Sequence, residues 1–372
     1  MIDTVCLLIP KNQMSYLNGV VDWQLYSATE EYQKFVRNPS KMDKGTGKYF
    51  PRLTGYKRLY NQDANVRIEF SVPKLLYLNN LDELTESDFP EVISLLQERL
   101  KTMGIIVEKS TLENANISSV HFSKNIPLQD GYTASHLISE MNKVNIRKTF
   151  DFAKTRFMND GQSLYAHTTS HQLVIYDKIS DMGKGKKRAI DKDQTTYQMN
   201  LFDEIKKEKE VEEIIRFEVR VNKKQKLNSL LESLGYKKNP VFRQVFSMEM
   251  SKKVVTEYWK KLIKERNLGL FSLSMSNKDI LQTLFLADRG IKPKQAIYLF
   301  GLFQLARDEN GMRQLRTIVS KRSHDRTWYR ITQDMQHASE LITKNKVRSW
   351  VTQIDKSIED YKPFKIKKYE TQ

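Results

Sequence analysis

Apolar residues recur with two different periods along this chain, and the change from one to the other divides it. Strict alternation over Val66–Val72 puts Val66, Ile68, Phe70 and Val72 on one face and Arg67, Glu69 and Ser71 on the other, which predicts a half-buried strand. Val5–Ile9, Gly19–Tyr26, Ile105–Glu108, Ile117–Lys124, Leu173–Lys178 and Ile214–Val221 read as further strands. A period near 3.6 takes over from Asp88, with Val92, Leu95, Leu96 and Leu100 as the stripe and Gly104 as the stop. Asp88 and Glu91 have capping-box spacing, with Pro90 in the first turn. A second helix is predicted from about Thr133 to Phe150, and a short one ending at Gly235. Pro39, Gly45, Gly47, Pro51 and Gly55 predict long loops between Lys34 and Arg58.

Beyond Pro240 only the helical period remains, in Asn277–Ala287, Lys294–Arg307, Gly311–Val319 and Arg326–His337. The pattern predicts an α+β domain on a mainly antiparallel sheet over residues 1–235, an all-α domain over 236–350, and a basic tail over 351–372. Bases and aromatics alternate in Lys362–Tyr369, as in a flexible segment that follows a phosphate backbone.

Charge sharpens this division. The chain carries 62 Lys plus Arg against 45 Asp plus Glu. From Tyr236 to Gln372 there are 28 basic and 14 acidic residues, so most of the formal +17 lies in the second half. A near-neutral half followed by a basic one suggests a chemical domain and a polyanion-binding domain, with nucleic acid as the polyanion. Duplex affinity is expected mainly in the second half and cleavage in the first. No run of 18 apolar residues exists, which argues against a membrane span. Cys6 is the sole cysteine, so neither an intrachain disulfide nor a cysteine zinc cluster is available. The opening residues lack a signal-peptide pattern, and a cytoplasmic location is expected.

Candidate chemistry gathers at strand ends. Leu173-Val-Ile-Tyr-Asp-Lys178 delivers Tyr176 from an apolar run, with Lys178 two residues on and hence on the same face of a strand. A phenol is a weak nucleophile at its ordinary pKa of about 10 and needs a neighbouring cation or metal. Glu69 and His121 each sit between apolar neighbours, and Arg216, Glu218 and Arg220 share one face of their strand. Each alone reads as a polar residue on a wet strand face. Together with a strand-borne tyrosine they supply what phosphodiester transfer needs, a hydroxyl nucleophile and ligands for a hard divalent cation. Rival nucleophiles are Tyr165 and Tyr197. His167 and His171 have a four-residue metal spacing but precede a strand, and His136 reads as structural. Lys44-Gly-Thr-Gly-Lys48 lacks the spacing of a nucleotide-binding loop. In the second half, Arg326, Trp328 and Arg330 open a helix after a short basic turn. They could belong either to a helix-turn-helix that reads DNA or to a plain basic bundle.

Met1-Ile2-Asp3, Ile68-Glu69 with Pro73-Lys74 and Leu76, Ile117-Ser118 through Ser123, Leu173-Val174 through Tyr176 and Lys178, and Arg216-Phe217-Glu218 with Arg220 and Val221 follow one another in a recognisable order. In these segments the chain resembles the replication-initiation proteins of filamentous phages and related plasmids, the gene II and gene X type. The resemblance covers most of residues 1–235. It implies a rolling-circle initiator with a nuclease fold related to the histidine-hydrophobe-histidine endonucleases. Such a protein nicks origin DNA through a 5′-phosphotyrosine and leaves a 3′-hydroxyl primer, using Mg2+ or Mn2+. Its implied partners are duplex and single-stranded origin DNA, a host helicase and a polymerase. Carried over by residue, Tyr176 is the nucleophile with Lys178 as its charge partner, and Glu218 and His121 are cation ligands. Glu69 is a weaker ligand candidate that could equally orient Lys178 or Arg220; Arg216 and Arg220 are this chain's own candidate DNA contacts. The resemblance departs at position 121, where the filamentous phages carry an acid. A non-enzymatic DNA-binding replication regulator, and a relaxase or transposase with the same tyrosine chemistry, are the alternatives.

Overall fold

Among the described residues twelve stretches form strands, numbered here in chain order: β1 Ile2–Pro10, β2 Ser15–Tyr16, β3 Gln24–Ala28, β4 Tyr32–Arg37, β5 Arg52–Arg58, β6 Asn65–Ser71, β7 Ile105–Ile106, β8 Asn116–Pro127, β9 Lys154–Met158, β10 Ser163–His167, β11 His171–Asp177 and β12 Ile214–Val221. This computed structural model describes residues 1–17, 21, 23–30, 32–58, 65–129, 131–144, 154–158, 162–182, 200–201, 213–264, 276–287, 291–308, 311–342 and 349–366. Ten strands make one sheet in the order β3-β4-β5-β6-β1-β8-β12-β11-β10-β9, antiparallel at every pairing. The α+β class with a large antiparallel sheet and a helical C-terminal region is therefore observed. β2 and β7 pair separately, so the strand expected over Ile105–Glu108 is only two residues long.

The alternating pattern sets which face is covered. Val5, Leu7, Ile68, Phe70, Val120, Phe122, Leu173, Ile175, Phe217 and Val219 are buried in one core. Helices Phe89–Thr102, Ala134–Asn142, Lys224–Ser233 and Met248–Trp259 supply much of the rest of that core. Phe242 meets Phe70 edge-on at 6.0 Å between ring centroids, and Trp259 meets Phe217 at 6.1 Å. Arg216, Glu218 and Arg220 alternate with Phe217 and Val219 and so point to the opposite face.

Several elements differ from expectation for local reasons. Lys34–Arg58 holds most of β4 and all of β5, because Pro39, Gly45, Gly47 and Pro51 fall in the link between them and only Gly55 lies inside a strand. The capping box belongs to Thr85, whose backbone N–H donates to Asp88 Oδ2 at 2.7 Å, so the helical chain begins a turn before Asp88. Lys44-Gly-Thr-Gly-Lys48 runs from a short helix capped by Ser40, and Lys48 pairs with Glu98 at 3.1 Å.

The core does not stop at Gly235. Helices Met248–Trp259 and Ser349–Asp360 pack on each other and on β8, and the Ser251 hydroxyl donates to Met1 O at 2.9 Å. Helices Asn277–Ala287, Pro293–Arg307, Gly311–Ser320 and Asp325–Ile342 pack mainly among themselves. The expected tail is also corrected: residues 351–360 are helical and 361–366 are docked. Phe364 N–H donates to Glu83 Oε2 at 3.0 Å and Ile366 N–H to Asp82 Oδ1 at 2.8 Å, while Lys362 O accepts from Lys124 Nζ. Phe364 and Ile366 then pack with Leu81, Met182 and Ile214. Among the described residues no helix is long and apolar enough to cross a membrane.

Candidate metal and tyrosine site

Three neighbouring strands bring the polar face together in rows. Tyr176 lies opposite Arg216 and Arg216 opposite Asn125, one row from Val174, Glu218 and Ser123, with Gln172, Arg220 and His121 next. An irregularity in the β1–β8 pairing between Ile2 and Val5 brings Asp3 into the same cluster. Asp3, His121 and Glu218 each present a ligand atom, all within 4.8 Å of one another, and this group can hold a metal ion.

Glu218 is the hub. Its carboxylate accepts from Arg220 Nε at 3.0 Å and from Arg220 NH2 at 3.1 Å, and its Oε1 lies 3.4 Å from His121 Nδ1. The Tyr176 hydroxyl donates to Glu218 Oε2 at 3.3 Å. Arg216 braces the other acid, with NH2 2.7 Å from Asp3 Oδ1. The same guanidinium donates to Ser123 Oγ at 2.9 Å and to Asn80 O at 2.7 Å. Burial works against ionising Glu218, but Arg220, His121 and Arg216 outweigh it and hold the carboxyl well below its usual range. Burial opposes ionisation of Asp3 too, and Arg216 again reverses the balance. Both acids are therefore carboxylates at neutral pH, as a cation requires. An imidazole beside two carboxylates is a mixed nitrogen and oxygen set, suited to a divalent ion that accepts both donor types.

Tyr176 and Lys178 meet although Lys178 has left the strand. It begins the short helix Lys178–Met182, is wholly buried, and places Nζ 5.8 Å from the centroid of the Tyr176 ring. Among the described residues that Nζ has no hydrogen-bond partner. Burial, and after it the charge of Arg216, lowers its pKa from 10.5 to about 7. Burial raises the Tyr176 hydroxyl well above its ordinary 10; Arg216 opposes the rise, and Glu218 and Asp181 add to it. At rest the tyrosine is a neutral phenol beside an amine that is close to half protonated at pH 7.

The remaining sequence candidates divide. Tyr165 lies one strand from Tyr176, opposite Val174, while Tyr197 lies outside the described residues. Glu69 is exposed on β6, between Cys6 and Arg52, and takes no part in the Asp3 cluster. Arg216, expected to touch DNA, is buried and spends its donors on the protein; Arg220 keeps partial exposure while clamping Glu218. Arg326 and Arg330 are exposed, while Trp328 is buried in the helical core with Arg316 beside its ring at 6.0 Å. His167 and His171 fall on opposite faces of a hairpin. His171 is buried with Nδ1 3.1 Å from the Thr168 and Ser170 hydroxyls, which makes it structural. His136 stacks on Tyr132.

Asp3 was not among the expected ligands. Its sequence signals are an acid between Ile2 and Val5 in a mainly apolar opening strand, and its place in the Met1-Ile2-Asp3 segment of the resemblance. Comparison of the chain with protein-family models, curated proteins and solved structures found no match.

Proposed function

We propose that the chain is a metal-dependent tyrosine nickase that starts rolling-circle DNA replication. The observation that carries the reading is the Tyr176 hydroxyl bonded to Glu218, an acid shared with His121 and Asp3 in a cluster fit for a cation. In the reaction the Tyr176 oxygen bonds to phosphorus and the bond from phosphorus to the 3′ oxygen breaks. The products are a 5′-phosphotyrosine and a 3′-hydroxyl, so the energy of the diester is kept for rejoining. The phenolic proton needs an acceptor: the hydroxyl already donates to the Glu218 carboxylate, and Lys178 stands beside the ring as charge partner of the developing phenolate. The departing 3′ oxygen takes up a proton in turn. Asp3, His121 and Glu218 would hold Mg2+ or Mn2+, which when bound would offset phosphate charge. Arg216 and Arg220 keep the two carboxylates ionised and oriented.

A second reading, a DNA-binding replication regulator without catalysis, is favoured by the raised pKa of Tyr176 and by the closed pairing of Glu218 with Arg220. One experiment separates them. A supercoiled plasmid carrying the gene's own origin is incubated with the protein and Mg2+ or Mn2+. The nickase reading expects nicked circles with protein on the 5′ end, lost in Tyr176→Phe; binding without any nick supports the regulator.

A further inference from the structure

The face that carries Tyr176, Glu218 and His121 continues across β1 and β6 into the wing formed by β5, β4 and β3. Register traces it strand by strand. Arg220 is level with His121. Cys6 is level with Glu69, Glu69 with Arg52, and Arg67 with Thr54. One step out, Tyr56 is level with Lys34 and Lys34 with Ser27. The wing strands pack chiefly on one another and on β6. On this face they hold an aromatic and basic group: the Lys34 ammonium lies 4.3 Å from the Tyr26 ring centroid, and the Tyr32 and Tyr56 rings are 6.5 Å apart. Tyr26 is 68% exposed and Tyr32 36%. Arg67 lies inward of them, held by Cys6 and Tyr56. Glu69, opposite Arg52, is the acid on this stretch of the face.

We infer that this wing is a binding platform for single-stranded nucleic acid leading to or from the tyrosine site. Exposed tyrosines offer flat π faces to unpaired bases, and interleaved bases neutralise phosphates without reading sequence. A duplex cannot use the rings, because its bases are already stacked on each other. The wing also lies on the same face as the proposed nucleophile. Seven strand spacings separate β3 from β11, about 34 Å across the sheet at ~4.8 Å each. That span suits several nucleotides of extended strand. The inference extends the nickase reading, but the platform itself rests on the wing.

The test measures binding of the full-length protein to a fluorescent 20-nucleotide oligothymidylate and to a duplex of equal length. Wild type, Tyr26→Ala/Tyr32→Ala, Lys34→Ala and Tyr176→Phe are compared by anisotropy over a range of salt. The two exposed tyrosines can be removed without opening the core, and thermal melting checks this. The double variant should bind the single strand about 30-fold or more weaker, with duplex binding within about threefold. Lys34→Ala should reduce the salt slope on the single strand by about 0.7. Unchanged single-strand affinity in the double variant, or equal loss on both DNAs, overturns the platform. Tyr176→Phe is assayed for nicking alongside. If that variant still nicks, the nickase reading falls while the platform result stands.

Discussion

Replacing Lys178 by methionine should make the protein more stable and inactive at once. The ammonium is fully buried, has no hydrogen-bond partner among the described residues and lies near the Arg216 charge, so folding pays desolvation and repulsion for it. A pKa lowered from 10.5 to about 7 corresponds to about 4 kcal/mol of folding free energy lost at pH 7, at roughly 1.4 kcal/mol per unit. Methionine nearly matches the volume and removes the charge, and should recover on the order of 2–4 kcal/mol. For a chain of this length that is a rise in Tm of roughly 3–5 °C. The sign with pH is fixed by proton binding. Between about 7 and 10.5 the unfolded lysine holds more protons than the folded one, so wild-type stability rises with pH in that window. The advantage of Lys178→Met should therefore be full below pH 7 and shrink towards pH 10.5. Chemical denaturation of both proteins at pH 6, 7.5 and 9 measures it, and a nicking assay on the same samples should show a loss of about 100-fold or more. A methionine variant less stable than wild type at every pH, or a gap that widens with pH, refutes the reasoning.

Asp3→Asn and Glu218→Ala should each abolish Mn2+ binding seen by calorimetry, and Glu218→Ala should also lose about 1–3 kcal/mol of stability because the half-buried Arg220 guanidinium loses both of its hydrogen bonds to that carboxylate. A fragment ending at residue 235 should fail to fold, since it lacks the Trp259 ring that covers Phe217 and the Ser251 hydroxyl bonded to Met1; circular dichroism and cooperative melting of the fragment test this. Gly311→Ala should destabilise the protein by a few kcal/mol in the same denaturation assay, because φ there is +37° and a Cβ would collide with the Ala306 carbonyl and crowd Lys143.

How much of this was legible depended on whether the signal was local. β12 follows the alternation of Ile214–Val221 to the residue, and its two faces were read correctly because period two is a property of the segment itself. Tyr176 and Glu218 could be named singly, but their contact depends on β11 pairing with β12 in one register, which no single segment states. Asp3 needed a pairing irregularity between strands more than a hundred residues apart, so its place beside His121 and Glu218 did not show in the sequence. The burial of Trp328 does have a local signal. With Met335, Ala338 and Ile342 it forms the buried stripe of the helix Asp325–Ile342, while Arg326 and Arg330 lie outside that stripe. Composition suggested a boundary near Gly235, but charge reports the surface and says nothing of the Trp259 and Tyr361 side chains that tie the C-terminal helices to the sheet.

The central claim is that Tyr176 is the attacking group, and trapping the covalent adduct tests it most directly. The protein is incubated with an origin oligonucleotide and Mn2+, digested with trypsin, and the peptide carrying nucleotide is sequenced by mass spectrometry. The account predicts a phosphodiester mass on Tyr176, absent in Tyr176→Phe. An adduct on Tyr165 or Tyr197, with Tyr176→Phe still forming it, contradicts the account.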